Sequence, residues 1–339
     1  MNKKVTLKTL ASLLKVSVST VSKSLSDNPE ISLETRERVK LLANSLHYIP
    51  NILGRNLKSN KTRTIGVIIP DILPHFFAKA LSGMESVANE MGYKIIISIS
   101  NDSLNKERES IQTLISGSVD GIIMSLSQET QAKMEIDHLK DVLDYHVPLV
   151  LFDRVLSIIP CDKISINDAF QAEQATIELL DSGCEKIAYV SGIPYTSVDD
   201  QRKQGYINAS KRFGFTKQIF NFDQKKFPDE KLKNLIQQRK IDAVLAADEL
   251  SAILIMKSIL KSGFKIPEDV SVIGFTNGIM GENFLPSLST VDQHEEEQGR
   301  LAMSTMIERI QDKLSRDPVN LKLETSIIHR DSTHNLRNH

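Results

Sequence analysis

The chain has 339 residues, 40% of them hydrophobic and 25% charged, a globular balance that excludes a disordered or fibrous polypeptide and leaves room for two or three domains. Its two cysteines, Cys161 and Cys184, stand in no metal-ligand spacing and read as a reduced pair, and no run approaches the roughly 18 apolar residues of a membrane span. The net charge of −1 is unevenly spread: residues 1–63 hold 12 Lys+Arg against 4 Asp+Glu (+8), and the remaining 276 hold 30 against 39 (−9). A basic head on an acidic body is the pattern of a nucleic-acid reader joined to something else. The polar, charged start has no apolar h-region, which predicts a cytoplasmic chain.

Val5 to Ser26 reads as two short helices joined by a tight turn. Thr6 can cap the first, with Leu7, Leu10, Ala11 and Leu14 on one face. Ser17 can cap the second, with Val21 and Leu25 one turn apart. Val16 plugs the angle between them, and the small Ala11 suits a close crossing. This is helix-turn-helix spacing, in which the second helix enters the DNA major groove. That helix would expose Val18, Ser19, Ser22 and Lys23, short or cationic groups suited to base edges and phosphates. A third helix follows, capped by Ser32, with Val39, Leu42 and Leu46 inward. Pro50 stops regular structure. Asn51 can cap a short segment from Ile52 to Leu57, and Lys58 to Arg63 is a linker by composition.

From Thr64 the texture changes. The apolar runs at 64–70, 93–100, 120–125 and 147–152 alternate with amphipathic segments, and the rhythm restarts at 185–192, 241–247 and 270–275. Strand–helix alternation at this spacing predicts parallel sheets covered by helices, in two similar α/β lobes. Ligands of such folds sit beyond the carboxyl ends of the strands. Those ends carry Pro70-Asp71, Ser125, Asp153-Arg154, Gly192, Asp248-Glu249 and Thr276-Asn277, polar groups of the kind a binding cleft needs.

Over essentially its full length the chain resembles the LacI/GalR bacterial transcription regulators. The matching segments in the head are VTLKTLA, VSVSTVSK, TRERV, HYIPN and GRNL. In the body they include IGVIIPDI, VDGIIM, LVLFDR, KIAYVSG, QRKQGY, the IPEDVSVIGF run, PSLSTVDQ and HRDST. The resemblance implies a helix-turn-helix domain at 1–50, a hinge helix and linker at 51–63, and a core like a periplasmic sugar-binding protein. In such cores the chain crosses between lobes three times. The first lobe would take 64–163 and 291–321, the second 164–290 and 322–331, leaving a polar, frayed tail at 332–339. It further implies a homodimer on a pseudo-palindromic double-stranded operator, and the tail has no heptad run to make a tetramer.

Carried over residue by residue, Val18 and Ser19 fall on the family's main specificity positions, and Lys23 stands where arginine is usual. Lysine is a flexible point charge without arginine's fixed fork, so a relaxed base preference is expected. Thr6, Ser17, Thr20, Ser22, Asn51 and Arg55 complete the expected DNA-contacting set. Leu57 matches the leucine that wedges into a minor-groove step. Gly54 replaces the usual hinge alanine, and Lys15 replaces a common turn glycine, which implies modest strain if its backbone is left-handed. For the effector, Phe76 and Phe77 match rings that sandwich a sugar. Asp153 and Arg154 match a hydroxyl-binding pair, and Arg202 the arginine before Gly-Tyr. Asp248 and Glu249 stand where Asn-Asp is typical, Thr276 where aspartate is common, and Gln293 matches the usual glutamine. Ser125 and Phe275 complete the set, with Tyr195 a further candidate for stacking.

Two arginines suit a sugar acid or phosphate, and two acidic residues a neutral polyol; the residue types favour a neutral sugar or oligosaccharide. The expected function is therefore a transcriptional regulator, by family habit a repressor, of carbohydrate-metabolism genes. An alternative keeps DNA binding but takes its input from a phosphorylated protein partner or a non-sugar metabolite. No GxxxxGK[ST] loop, GxSxG elbow or HExxH occurs, so no catalytic role and no cofactor are expected. His329, His334 and His339 read as part of the polar tail rather than as a metal site.

Overall fold

A computed structural model describes residues 5–48, 62–116, 119–222 and 227–334. The expected hinge, with Asn51, Gly54, Arg55 and Leu57, lies outside the described residues, as does 335–339. The chain divides into two units, Met1–Thr62 and Arg63–His339.

In the head, α1 (Leu7–Leu14), α2 (Val18–Leu25) and α3 (Leu33–Ser45) enclose a small core of Leu10, Ala11, Val21, Val39 and Ala43. Val16 and Tyr48 pack on its margin. Thr6, Ser17 and Ser32 each accept the backbone N–H three residues on, from Thr9, Thr20 and Thr35, which satisfies amides that a helix start leaves open. Lys15 adopts φ 55° and ψ 41° at the end of α1, the left-handed geometry anticipated for a position glycine usually fills.

The larger unit holds two six-stranded sheets. The first is built from β1 (Thr64–Ile69), β2 (Lys94–Ile99), β3 (Gly121–Met124), β4 (Leu149–Phe152), β5 (Asp162–Ile166) and β11 (Asn320–Leu323). Its order is β11-β5-β4-β3-β1-β2, parallel throughout. The second contains β6 (Ile187–Ser191), β7 (Gln218–Asn221), β8 (Ala243–Ala246), β9 (Ser271–Phe275), β10 (Ser289–Asp292) and β12 (Ser326–Ile328), in the order β12-β10-β9-β8-β6-β7. Only β12 runs antiparallel to its neighbour among the described strands. All seven apolar runs of the sequence are strands. The five that were not apparent are short, and several carry charged residues.

Successive side chains of a strand point to opposite faces, and both faces of each sheet are covered. In the first sheet Ile65, Val67, Ile123, Val150 and Phe152 pack under α4 (His75–Glu90) and α13 (Glu295–Ile310). Ile68, Ile122, Met124 and Leu151 face α5 (Leu104–Ile115) and α7 (Asp137–Asp144) instead. The second sheet is sandwiched between α8 (Asp168–Asp181) with α9 (Ser197–Phe213) and α10 (Asp229–Gln237) with α11 (Glu249–Lys261). The α4–α13 crossing depends on glycine. A Cβ on Gly83 would lie 2.0 Å from the Glu296 carbonyl oxygen, and one on Gly299 would lie 1.9 Å from that of Ala80.

The chain passes between the sheets after β5, after β10 and after β11. These crossings move the expected lobe limits by a few residues: β5 continues in the first sheet past 163, β10 stays in the second through 292, and β11 holds the first through 323. Hydrogen-bonded pairing, rather than a motif's edge, decides where a strand ends. The expected frayed tail is also corrected over its described part, 332–334. Ser332 is fully buried, its Oγ donating to the Val272 carbonyl at 2.6 Å and accepting the Ser289 N–H at 2.7 Å. Short polar side chains here serve the sheet, because each completes a buried backbone group.

Among the described residues, two side-chain amides of the first lobe reach across to the second. Gln128, at the start of α6 (Gln128–Lys133), donates through Nε2 to the Pro194 carbonyl at 2.6 Å. Gln131 accepts the Ser197 N–H at 2.7 Å, and its own amide nitrogen is held by the carbonyls of Leu126 and Ser127.

Candidate functional site

The outer face of α2 carries Val18, 41% exposed, with Ser19 and Ser22 exposed beside it. An exposed valine at a helix start next to two hydroxyls has no packing role and suits a thymine methyl and adjacent base edges. Lys23 on the same helix is ion-paired with Glu30, so its charge has a carboxylate to leave before it can meet a phosphate. Thr6, Ser17 and Thr20 are drawn into caps: the Ser17 Oγ accepts the Thr20 N–H at 3.0 Å and lies 2.9 Å from the Thr20 Oγ1. Their first task is to fix the helix ends.

In the larger unit a cavity of about 1250 Å³ lies between the two sheets' carboxyl ends. Nine of the eleven expected effector residues line it: Phe76, Phe77, Asp153, Arg154, Arg202, Asp248, Glu249, Thr276 and Gln293. Ser125 and Phe275 do not; both are fully buried one layer behind. The Ser125 Oγ reaches the Asp153 carboxylate at 3.4 Å, and the Phe275 ring supports the Arg202 guanidinium at 4.1 Å.

Arg202 is 3% exposed and organises one wall. Its Nε donates to Asp168 Oδ1 at 2.7 Å, one terminal nitrogen to the Ala247 carbonyl at 2.6 Å, and the other to Gln293 Oε1 at 2.8 Å. Gln293 in turn donates through Nε2 to Thr276 Oγ1 at 2.8 Å. Thr276 itself has φ 82°, a left-handed backbone that is a genuine outlier for a β-branched residue and of the kind that collects at functional sites. Burial pushes the Asp168 carboxyl up, opposed by the Arg202 charge. On the facing lobe Arg154 donates to Asp102 Oδ1 at 2.6 Å and sits 5.8 Å from the Phe77 ring. Phe76, Phe77 and Phe152 form a cluster with centroids 5.2–6.5 Å apart, Phe76 edge-on to Phe77 and stacked over Phe152.

Asp153 also has a left-handed backbone, φ 57°, and burial pushes its carboxyl up to about 6 although two arginines pull it down. Asp248 is the N-cap of α11, with one oxygen accepting the Ser251 N–H at 2.9 Å and the other the Ser251 hydroxyl at 2.5 Å. Glu249 accepts the Gly281 N–H of the short α12 (Ile279–Glu282) at 2.7 Å, and burial pushes it up as well.

The wall also contains residues that the sequence did not single out. Asn101 and Asp102 follow β2 with φ 51° and 56°; they occupy a strand's carboxyl end, the signal that marked the other sites. Phe222 follows β7 and Gln128 starts α6. Phe222 had no such signal, because β7 is a short edge strand without an apolar run.

The head, over residues 6–51, matches the family model described as bacterial regulatory proteins, lacI family. Residues 176–333 match the periplasmic binding protein-like domain. The NTD biosynthesis operon regulator NtdR of Bacillus subtilis is 30% identical over 335 residues, covering 97% of this chain and 99% of its own. The HTH-type transcriptional repressor PurR of Vibrio vulnificus is 31% identical, covering 96% and 98%. Among solved structures, the Lac repressor dimer bound to operator and the anti-inducer ONPF superposes with a TM-score of 0.86 at 21% identity, covering 98% and 99%, which shows the fold. No described helix is long and apolar enough to cross a membrane. The relatives are transcriptional regulators rather than enzymes, and this chain belongs to the lacI family of bacterial regulatory proteins.

Proposed function

We propose that the chain is a sequence-specific DNA-binding repressor of transcription, acting as a homodimer on a pseudo-palindromic operator and controlled by a small-molecule effector of the sugar class. The observation that carries this reading is the presence, in one chain, of an exposed face of Val18, Ser19 and Ser22 on α2 and a walled cavity between two lobes joined by three crossings. Val18, Ser19 and Ser22 read the half-site, Lys23 meets phosphate or guanine, and Thr6, Ser17 and Thr20 hold the helix ends against the backbone. Asn51, Arg55 and Leu57 supply the hinge contacts. In the cavity Phe76 and Phe77 give apolar faces, while Asp153, Arg154 and Glu249 meet hydroxyl groups. Arg202, Gln293 and Thr276 act as a braced unit that presents its remaining polar edges, with Ser125, Asp248 and Phe275 supporting them. An effector that prefers one arrangement of the lobes shifts operator affinity by the difference in its binding to the two states.

The test is selection of duplexes from a random library by the full-length chain, followed by binding measurements at increasing salt. Enrichment of inverted half-sites, a steep fall in affinity with salt and a loss of binding in Lys23→Ala are expected. Recovery of no common sequence, or binding independent of salt, overturns the reading.

A further inference from the structure

The cavity wall holds more negative charge than its own cations neutralise. Asp71, Asp102, Asp153, Asp248 and Glu249 face it together with Arg154, Arg202 and the imidazole of His75, five carboxyl groups against two guanidiniums and one imidazole among the described lining residues. Both guanidiniums are already committed. Arg154 is paired with Asp102 at 2.6 Å, and Arg202 with Asp168, behind the wall, at 2.7 Å. None of the other four wall carboxyls accepts a hydrogen bond from a cationic side chain among the described residues; Asp153 comes nearest, 4.0 Å from the Arg154 Nε. Two of the four are also withdrawn from water, the Asp153 side chain at 9% exposure and Glu249 at 4%. Burial pushes both carboxyls up although Arg154 and Arg202 pull on Asp153 and His75 pulls on Glu249, so a further cation brought into the cavity offsets a cost their present neighbours leave standing. The rings of Phe76, Phe77, Phe222 and Tyr195 offer apolar faces on the same wall, and an aromatic face also attracts a cation.

We propose that the effector carries a positive charge: a polyhydroxylated amine of the amino-sugar type, whose ammonium group is held by the wall carboxylates Asp153 and Glu249. This rests on the reading of the cavity as an effector site and departs from the neutral sugar that residue types alone favour. The reason is that the pairing of both arginines is visible only in three dimensions. The ligand then supplies the counter-charge the wall lacks. A sugar acid or phosphate meets surplus negative charge and two occupied guanidiniums.

The full-length chain is titrated calorimetrically at neutral pH with matched sets. Glucosamine and the β-1,4-linked glucosamine dimer are compared with glucose and cellobiose, with their N-acetylated forms, and with glucose 6-phosphate and gluconate; the galacto and manno epimers are included. An aminated sugar is expected to bind on the order of tenfold or more tighter than its hydroxyl and N-acetyl counterparts. That preference should collapse in Asp153→Asn or Glu249→Gln. Asparagine tolerates the left-handed backbone at 153, and glutamine still accepts the Gly281 N–H, so both variants keep the fold. A neutral or anionic sugar that binds as tightly as its aminated counterpart overturns the amine and leaves the sugar reading standing. A preference that survives in both variants overturns the assignment to these carboxylates. Failure of every compound to bind, aminated ones included, overturns the amine and the sugar effector together.

Discussion

Replacing Arg202 by methionine keeps most of its aliphatic volume and removes its charge. The change strips three hydrogen bonds, of 2.7, 2.6 and 2.8 Å, from Asp168, the Ala247 carbonyl and Gln293. Asp168 is only 2% exposed, so its carboxylate is left buried without a counter-ion. Removing one partner of such a pair costs about 3–5 kcal/mol, a large part of the 5–15 kcal/mol or so that holds a domain folded. Urea unfolding of the full-length chain at pH 7 should show this as a lower midpoint at unchanged slope. Most of the loss is the orphaned charge rather than the missing contacts. The double variant with Asp168→Asn should therefore recover about 2 kcal/mol relative to Arg202→Met alone, a coupling of the size expected within one network. The loss should also shrink as pH falls, because burial already pushes the Asp168 carboxyl up and the guanidinium that opposed this is gone. A single variant that costs less than about 1 kcal/mol, or a double variant no more stable than the single, would refute the claim that this ion pair braces the cavity wall.

Burial pushes the Asp153 carboxyl up to about 6 from its ordinary 3.8, so the folded state holds its proton more tightly than the unfolded state. Stability should fall as pH rises through that window, by about 3 kcal/mol for this group alone, and stay lower above it. The difference in unfolding free energy between wild type and Asp153→Asn, measured from pH 4 to 7, should show that slope; a flat difference contradicts the burial argument. Gly83→Ala and Gly299→Ala each drive a Cβ against backbone of the opposing helix, and each should cost about 2–3 kcal/mol or more in thermal unfolding, as overpacking does; an unchanged midpoint would mean that α4 and α13 can part freely. Ser332→Ala leaves the Ser289 N–H and the Val272 carbonyl without their buried hydroxyl and should cost about 1–3 kcal/mol, whereas a frayed tail would show no effect.

The architecture was legible where the physics is local and repetitive. The α1–α2 face of Leu10, Ala11 and Val21, the caps at Thr6 and Ser17, and the seven apolar strands each announce themselves within a few residues. Lys15 was legible because a left-handed turn position constrains any side chain. What escaped depends on partners distant in sequence. Ser332 looks like tail chemistry until Val272 and Ser289 are brought against it. Ser125 and Phe275 carry the right chemistry at strand ends but stand behind Asp153 and Arg202. Arg202 and Asp168 lie 34 residues apart, so their pairing, and with it the charge state of the cavity, left no trace in the order of residues.

The glutamine bonds across the cleft bear on how hard the two lobes are to separate. The Ser197 amide is the first N–H of α9, a group that no helix satisfies from within, and its acceptor belongs to the other lobe. The Pro194 carbonyl is matched in the same way by Gln128. If the lobes part, water can take over both roles at little net expense, because exchanging such a bond for a hydrated one changes the free energy by only about 0.5–1.5 kcal/mol. The joint therefore fixes a direction of approach without locking it. For the effector proposed above, these two bonds then set only a small part of the difference between the lobe arrangements, and the rest must come from its own unequal contacts with the two.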